Sequence, residues 1–161
     1  MTERPDKRAI ASWAFYDFAN TIFSMNVISL YFALWVTVDH GGEDILYSIA
    51  LSGSMLAVAI SAPVFGTISD QTGRRRFPLI LLTIISVFAT ALIGQASQLW
   101  MGLLLFVIAN YCYQSALVFY NGMLPNVARQ SNVGVISGYG VALGYIGSIA
   151  GLRLVEPFAT D

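Results

Sequence analysis

The sequence predicts an all-α membrane protein with about five transmembrane helices. Three observations carry this expectation. Hydrophobic residues make up 57% of the 161 residues and charged ones only 11%, against about 25% charged in a soluble domain. The charges leave long gaps: 21 residues from Phe18 to Val38, 25 from Ile45 to Ser69, 52 from Phe77 to Ala128 and 23 from Gln130 to Leu152. A bilayer-spanning helix needs about 20 apolar residues, so three gaps fit one span each and the longest fits two. Third, the basic residues fall on one side of the resulting model of topology.

The first span is expected over residues 10–38 and the second over 45–69. The third covers 77–96, the fourth 99–120 and the fifth 133–155. Gly94-Gln95-Ala96-Ser97-Gln98 is the only polar stretch in the longest gap and marks the turn between the third and fourth. Continuous apolar runs favour helices, because barrel strands are about 10 residues long and alternate in polarity. The opening run is too long for a secretory signal, and no small-residue cleavage site precedes the loop at Asp39.

Arg4, Lys7 and Arg8 precede the first span, Arg74, Arg75 and Arg76 join the second to the third, and Arg129 joins the fourth to the fifth. These are seven of the eight basic residues. The opposite loop holds Asp39, His40, Glu43 and Asp44. The positive-inside rule therefore places the N-terminus in the cytoplasm. Trp13, Tyr16, Trp35, Tyr47 and Trp100 fall near span ends, where an interfacial aromatic belt belongs.

Composition excludes several function classes. A net charge of −1 offers no basic surface for nucleic acid. A lone histidine, His40, and a lone cysteine, Cys112, build neither a zinc site nor a serine triad. No phosphate-binding Gly-x-x-x-x-Gly-Lys-[Ser/Thr] loop is present, so ATP is not implied. No cofactor and no enzymatic activity are expected.

The strongest local pattern is Gly66-Thr67-Ile68-Ser69-Asp70-Gln71-Thr72-Gly73-Arg74-Arg75-Arg76, between the second and third spans. Glycine permits a tight turn and a close helix approach. Asp70 can accept from a helix N-terminus or a guanidinium. A topology signal alone explains the arginines, but not the spacing of Gly66, Asp70 and Gly73. The segment resembles the signature loop of the major facilitator superfamily, Gly-x-x-x-Asp-[Arg/Lys]-x-Gly-Arg-[Arg/Lys], through Gly66, Asp70, Gly73, Arg74 and Arg75. Gln71 stands where a basic residue is usual, so no ion pair is assigned there. The resemblance implies a conformational lock between the two halves of a transporter.

A second resemblance is narrower. Trp13-Ala14-Phe15-Tyr16-Asp17-Phe18-Ala19-Asn20 is similar to the opening of the autophagy-related vacuolar amino-acid effluxer family, which has bacterial relatives. Tyr120-Asn121-Gly122-Met123-Leu124-Pro125 and the segment Ser137 to Gly147 are similar to its fourth-to-fifth region. The resemblance implies a secondary transporter of small solutes, with amino acids the leading candidates, working by alternating access. It implies about twelve spans in two six-helix halves, so five spans are most of an N-terminal half. Residues 1–161 are then read as a partial transmembrane half. Its partners are the bilayer, a small-molecule solute, and the missing C-terminal half or another membrane chain. The short loops favour a bacterial inner membrane over a vacuolar one. A different class stays open: a small non-transporting membrane protein that acts as an assembly or regulatory partner.

Within the spans, Asp17, Asn20, Thr21 and Ser24 share one face at 3.6 residues per turn, with Asn26 opposite. Asp17 and Asn20 are candidate cavity-lining residues; alternatively Asp17 sits among the cytoplasmic headgroups. Asn110, Gln114 and Asn121 fall within about 40° of one another on the fourth helix. They fit either a mid-membrane solute site or interhelical hydrogen bonding. Gly140, Gly144, Gly147 and Gly151 form one face of the fifth span, for close packing of the small-xxx-small kind, static or sliding. Pro63 is expected to kink the second span, and Arg153 to snorkel outward beside Glu156.

Overall fold

The computed structural model describes residues 7–127 and 133–159. Arg4, Arg129 and Asp161 lie outside the described residues, as do the side chains of Lys7 and Glu156. Among the described residues there is no strand, and five helices are long and apolar enough to cross a membrane. In a bilayer this follows from hydrogen bonding, since a helix satisfies its own backbone where no water is available.

Helix α1 is continuous from Lys7 to Asp39, but its winding changes. Lys7–Ile22 is α-helical, Phe23–Tyr31 is wound as a π-helix, Phe32–Leu34 returns to α, and Trp35–Asp39 is π again. The wider turns carry i→i+5 bonds, and the hydroxyl of Ser29 donates five residues back to the Ser24 carbonyl. Helix α2 spans Asp44–Thr72, α3 Arg76–Ile93, α4 Leu99–Val127 and α5 Val133–Ala159. Several helices outrun the expected spans; α4 continues seven residues past the expected end at Tyr120. Polar residues such as Asn121 and Asn126 end a gap in hydropathy without ending helical hydrogen bonding. The third helix, by contrast, stops at Ile93, three residues short of the expected 96, because Gly94 and Gln95 already form the turn, with Gln95 N–H donating to the Leu92 carbonyl.

The chain divides into two compact units. The first combines α1 up to Tyr31 with α5 and the end of α4 from Leu124. Its centre is a glycine seam. The missing Cβ of Gly140 would lie 2.8 Å from Trp13 and 3.1 Å from the Asp17 carboxylate. That of Gly144 would strike Thr21, that of Gly147 would lie 2.8 Å from the Phe18 ring, and that of Gly151 2.8 Å from Ile22. Residue numbers rise together on both helices, so α1 and α5 run parallel. Asn26 also faces α5, donating to the Ser148 carbonyl at 3.4 Å. Asn26 is thus a packing contact, as its place in the span suggests, but toward α5 like Asp17 rather than on the opposite face. The glycine-lined surface admits α1 so closely that two rows of its side chains meet α5, and the π winding breaks the 3.6-residue period after Ile22.

The second unit runs from Phe32 to Met123. Phe32 stacks on Phe106 at 3.9 Å between ring centroids, and both rings are buried. Trp35 lies over Gly102, which has no Cβ to block it. These pairings run in opposite directions, so the end of α1 is antiparallel to α4. Phe65 packs on Phe119 and Tyr47 on Phe106, which makes α2 parallel to α4. The Ser86 hydroxyl of α3 donates to the Ala109 carbonyl at 2.9 Å. Trp13 and Trp35 are therefore packing residues rather than belt residues alone, whereas Trp100 is 70% exposed. His40 is half-buried, its ring tilted by 39° against that of Trp35 with centroids 3.9 Å apart.

Candidate functional site

The loop between α2 and α3 is built by one glycine and one arginine. Gly73 ends α2 in the left-handed region at φ 63°, and its N–H caps the Ser69 carbonyl at 3.1 Å. Glycine meets this conformation without a steric cost. The turn brings Arg75 back over the end of α2. Its Nε donates to the Ser69 hydroxyl at 2.9 Å and its NH2 to the Asp70 carboxylate at 2.9 Å. Its NH1 donates to the main-chain carbonyl of Gly122 on α4. One guanidinium thus ties the loop to two helices, using the fork geometry that sets arginine apart from lysine. The Arg75 side chain is only 16% exposed, while that of Asp70 is 77% exposed.

The other loop residues are placed differently. Arg74 is exposed, and its main-chain N–H bonds the Thr72 hydroxyl at 3.3 Å. Gly66 does not serve a close approach among the described residues: a Cβ there meets nothing within 4 Å. Gln71 is exposed.

The mid-membrane polar residues separate. Asn110 is fully buried, and its amide donates to the Ser54 hydroxyl of α2 at 2.7 Å. Gln114 is half-exposed and Asn121 exposed. Asp17 and Asn20 are half-buried in the other unit, with Asp17 against Gly140. Sequence reasoning missed the α2–α4 seam. Besides Ser54–Asn110, Tyr111 donates to the Ser61 hydroxyl at 3.2 Å, and Ser69 meets Arg75. Single serines in apolar helices give little signal, because each can bond its own chain: Ser61 donates to the Ala57 carbonyl at 2.9 Å. Among the described residues, no three histidine, cysteine or acidic side chains could hold a metal ion.

Comparison with known proteins fits this geometry. A family model described as Major Facilitator Superfamily matches residues 6–156. An uncharacterized protein of Aquifex aeolicus (strain VF5) is 32% identical over 165 residues, covering 98% of this chain and 42% of the relative. The uncharacterized MFS-type transporter YxiO of Bacillus subtilis (strain 168) is 31% identical over 148 residues, covering 85% of this chain and 34% of the relative. The chain thus spans less than half the length of these curated relatives. No solved structure matches it.

Proposed function

This chain belongs to the major facilitator superfamily, and we propose on that footing that it forms part of a secondary active transporter for small solutes, amino acids first among them. The observation that carries the reading is the Arg75 clamp. A conformational lock needs a contact that is complete in one state and breakable in another. Arg75 sets the loop for such a contact from within this half, joining the ends of α2 and α4 through its hydrogen bonds. Gly66, Asp70, Gly73, Arg74 and Arg75 together form the lock loop. On α4, Gln114 and Asn121 are the polar groups proposed to meet solute, while Asn110 is held by Ser54; Asp17 and Asn20 on α1 are separate candidates within the first unit.

The lock loop follows an even number of crossings, on the side of the N-terminus. The concentration of arginine there supports a cytoplasmic placement, in a bacterial inner membrane. The remaining helices of the transporter come from a C-terminal half or a second membrane chain. The alternative, a non-transporting partner protein, would need the glycine face of α5 as its docking surface. That face is filled by α1, which favours the transporter.

The test is counterflow. The protein, with whatever completes it in its native membrane, is reconstituted into liposomes preloaded with a mixture of unlabelled amino acids. Transient accumulation of labelled amino acid is the expected result. Uptake equal to that of empty liposomes, for amino acids and other small solutes alike, overturns the reading.

A further inference from the structure

The open face of α4 carries a polar pair that the lock does not use. Going along α4, Leu104 is exposed and Val107, Tyr111, Gln114 and Val118 are half-exposed, while Asn110, Ser115 and Phe119 are buried. Tyr111 lies near the middle of the 29-residue α4, and its partner Ser61 near the middle of the 29-residue α2. Both belong to the same compact unit. Membrane transporters place solute sites near the bilayer midplane.

The direction of the hydrogen bonds decides what this pair can bind. The Ser61 hydroxyl lies 2.9 Å from the Ala57 carbonyl and 3.3 Å from that of Val58. Carbonyls only accept, so the single Ser61 hydrogen is committed to its own helix. In the 3.2 Å contact with Ser61, Tyr111 must therefore be the donor. With its only hydrogen spent, the phenolic oxygen can offer a further ligand nothing but lone pairs. Gln114, three residues along and half-exposed, has an amide that carries an acceptor oxygen as well as two donors. No charged side chain lies between Ile45 and Ser69 or between Leu99 and Val127, so the pair presents acceptors without a formal charge.

We infer that Tyr111, held by Ser61 and assisted by Gln114, is a solute-contact site for an N–H donor, of which a primary ammonium group is the strongest because charge shortens and strengthens the bond. The inference rests on the transporter reading and narrows its substrate class. The site orients the solute by accepting its hydrogens.

The experiment is a thermal-shift titration in lipid nanodiscs of the protein with whatever completes it in its native membrane. The probes are n-butylammonium and n-butyltrimethylammonium, which share charge and tail but differ in N–H groups. The expected result is saturable stabilisation by the primary ion and none by the quaternary one. Tyr111→Phe is expected to weaken the primary ion by about tenfold or more, the loss of one hydrogen bond to a charged group. Equal shifts for the two ions, or an unchanged response in Y111F, overturn the site. If Y111F does not elute as a single species, Ser61→Ala replaces it. That variant keeps the phenol but loses the hydroxyl that holds it, so the affinity for the primary ion is expected to fall; an unchanged affinity overturns the site. The titration reads binding alone. Binding with no counterflow overturns the transporter reading, and counterflow without N–H preference overturns this site.

Discussion

Replacing Arg75 by alanine is expected to cost far more than replacing Asp70, although the two form an ion pair. Asp70 is 77% exposed, and an ion pair with so solvated a partner contributes about 0–1 kcal/mol. Arg75 is only 16% exposed and also holds Ser69, which is 2% exposed, and the Gly122 carbonyl. Leaving buried polar atoms without their partner costs about 1–3 kcal/mol each. Pro125 sits just beyond Gly122 and removes the N–H that would bond the Asn121 carbonyl, so this last part of α4 depends more on the clamp. Arg75→Ala is therefore expected to destabilise the fold by about 2–4 kcal/mol and Asp70→Ala by about 1 kcal/mol or less. Arg75→Lys keeps the charge but loses the fork, and falls between them. Equilibrium unfolding in mixed micelles measures all three. An Asp70→Ala cost equal to that of Arg75→Ala refutes the assignment of Arg75 as the centre of the clamp.

Other substitutions test the packing and the solute path. Gly147→Ala places a methyl 2.9 Å from the Phe18 main-chain oxygen, which no rotamer change relieves, and is expected to cost about 1–3 kcal/mol. Gly138→Ala, where a Cβ meets nothing within 4 Å, is expected to be neutral in the same unfolding assay. Gly102→Ala drives the Trp35 ring from its place over α4 and is expected to shift the tryptophan emission; an unchanged spectrum removes that contact. Asp17→Asn is expected to lower counterflow while leaving membrane insertion intact, and transport unchanged across pH removes Asp17 from the mechanism.

The five apolar helices were legible in the charge gaps because a bilayer excludes unpaired charge wherever a span must lie. The α5 glycines were legible as a face because Gly140, Gly144, Gly147 and Gly151 keep helical spacing, and α5 is α-helical throughout that stretch. On α1 the same arithmetic failed at Asn26, where π winding changes the period. The motif named Gly66, Asp70, Gly73, Arg74 and Arg75 alike, and the structure gathers the side-chain contacts on Arg75. Three adjacent arginines look alike in sequence, and only the Gly73 turn decides which one swings over α2. The placement of Tyr111 was hidden by its neighbour. Asn110 has the stronger polar signal, yet it points into α2, and the open face belongs to Tyr111 and Gln114.

Alternating access is tested most directly by labelling a cysteine at Gln114 from each side of the membrane, in a Cys112→Ser background. Labelling from both sides is expected, with the ratio between the sides shifted when Arg75→Ala releases the clamp. Labelling from one side only, unmoved by Arg75→Ala, contradicts both the lock and the transporter.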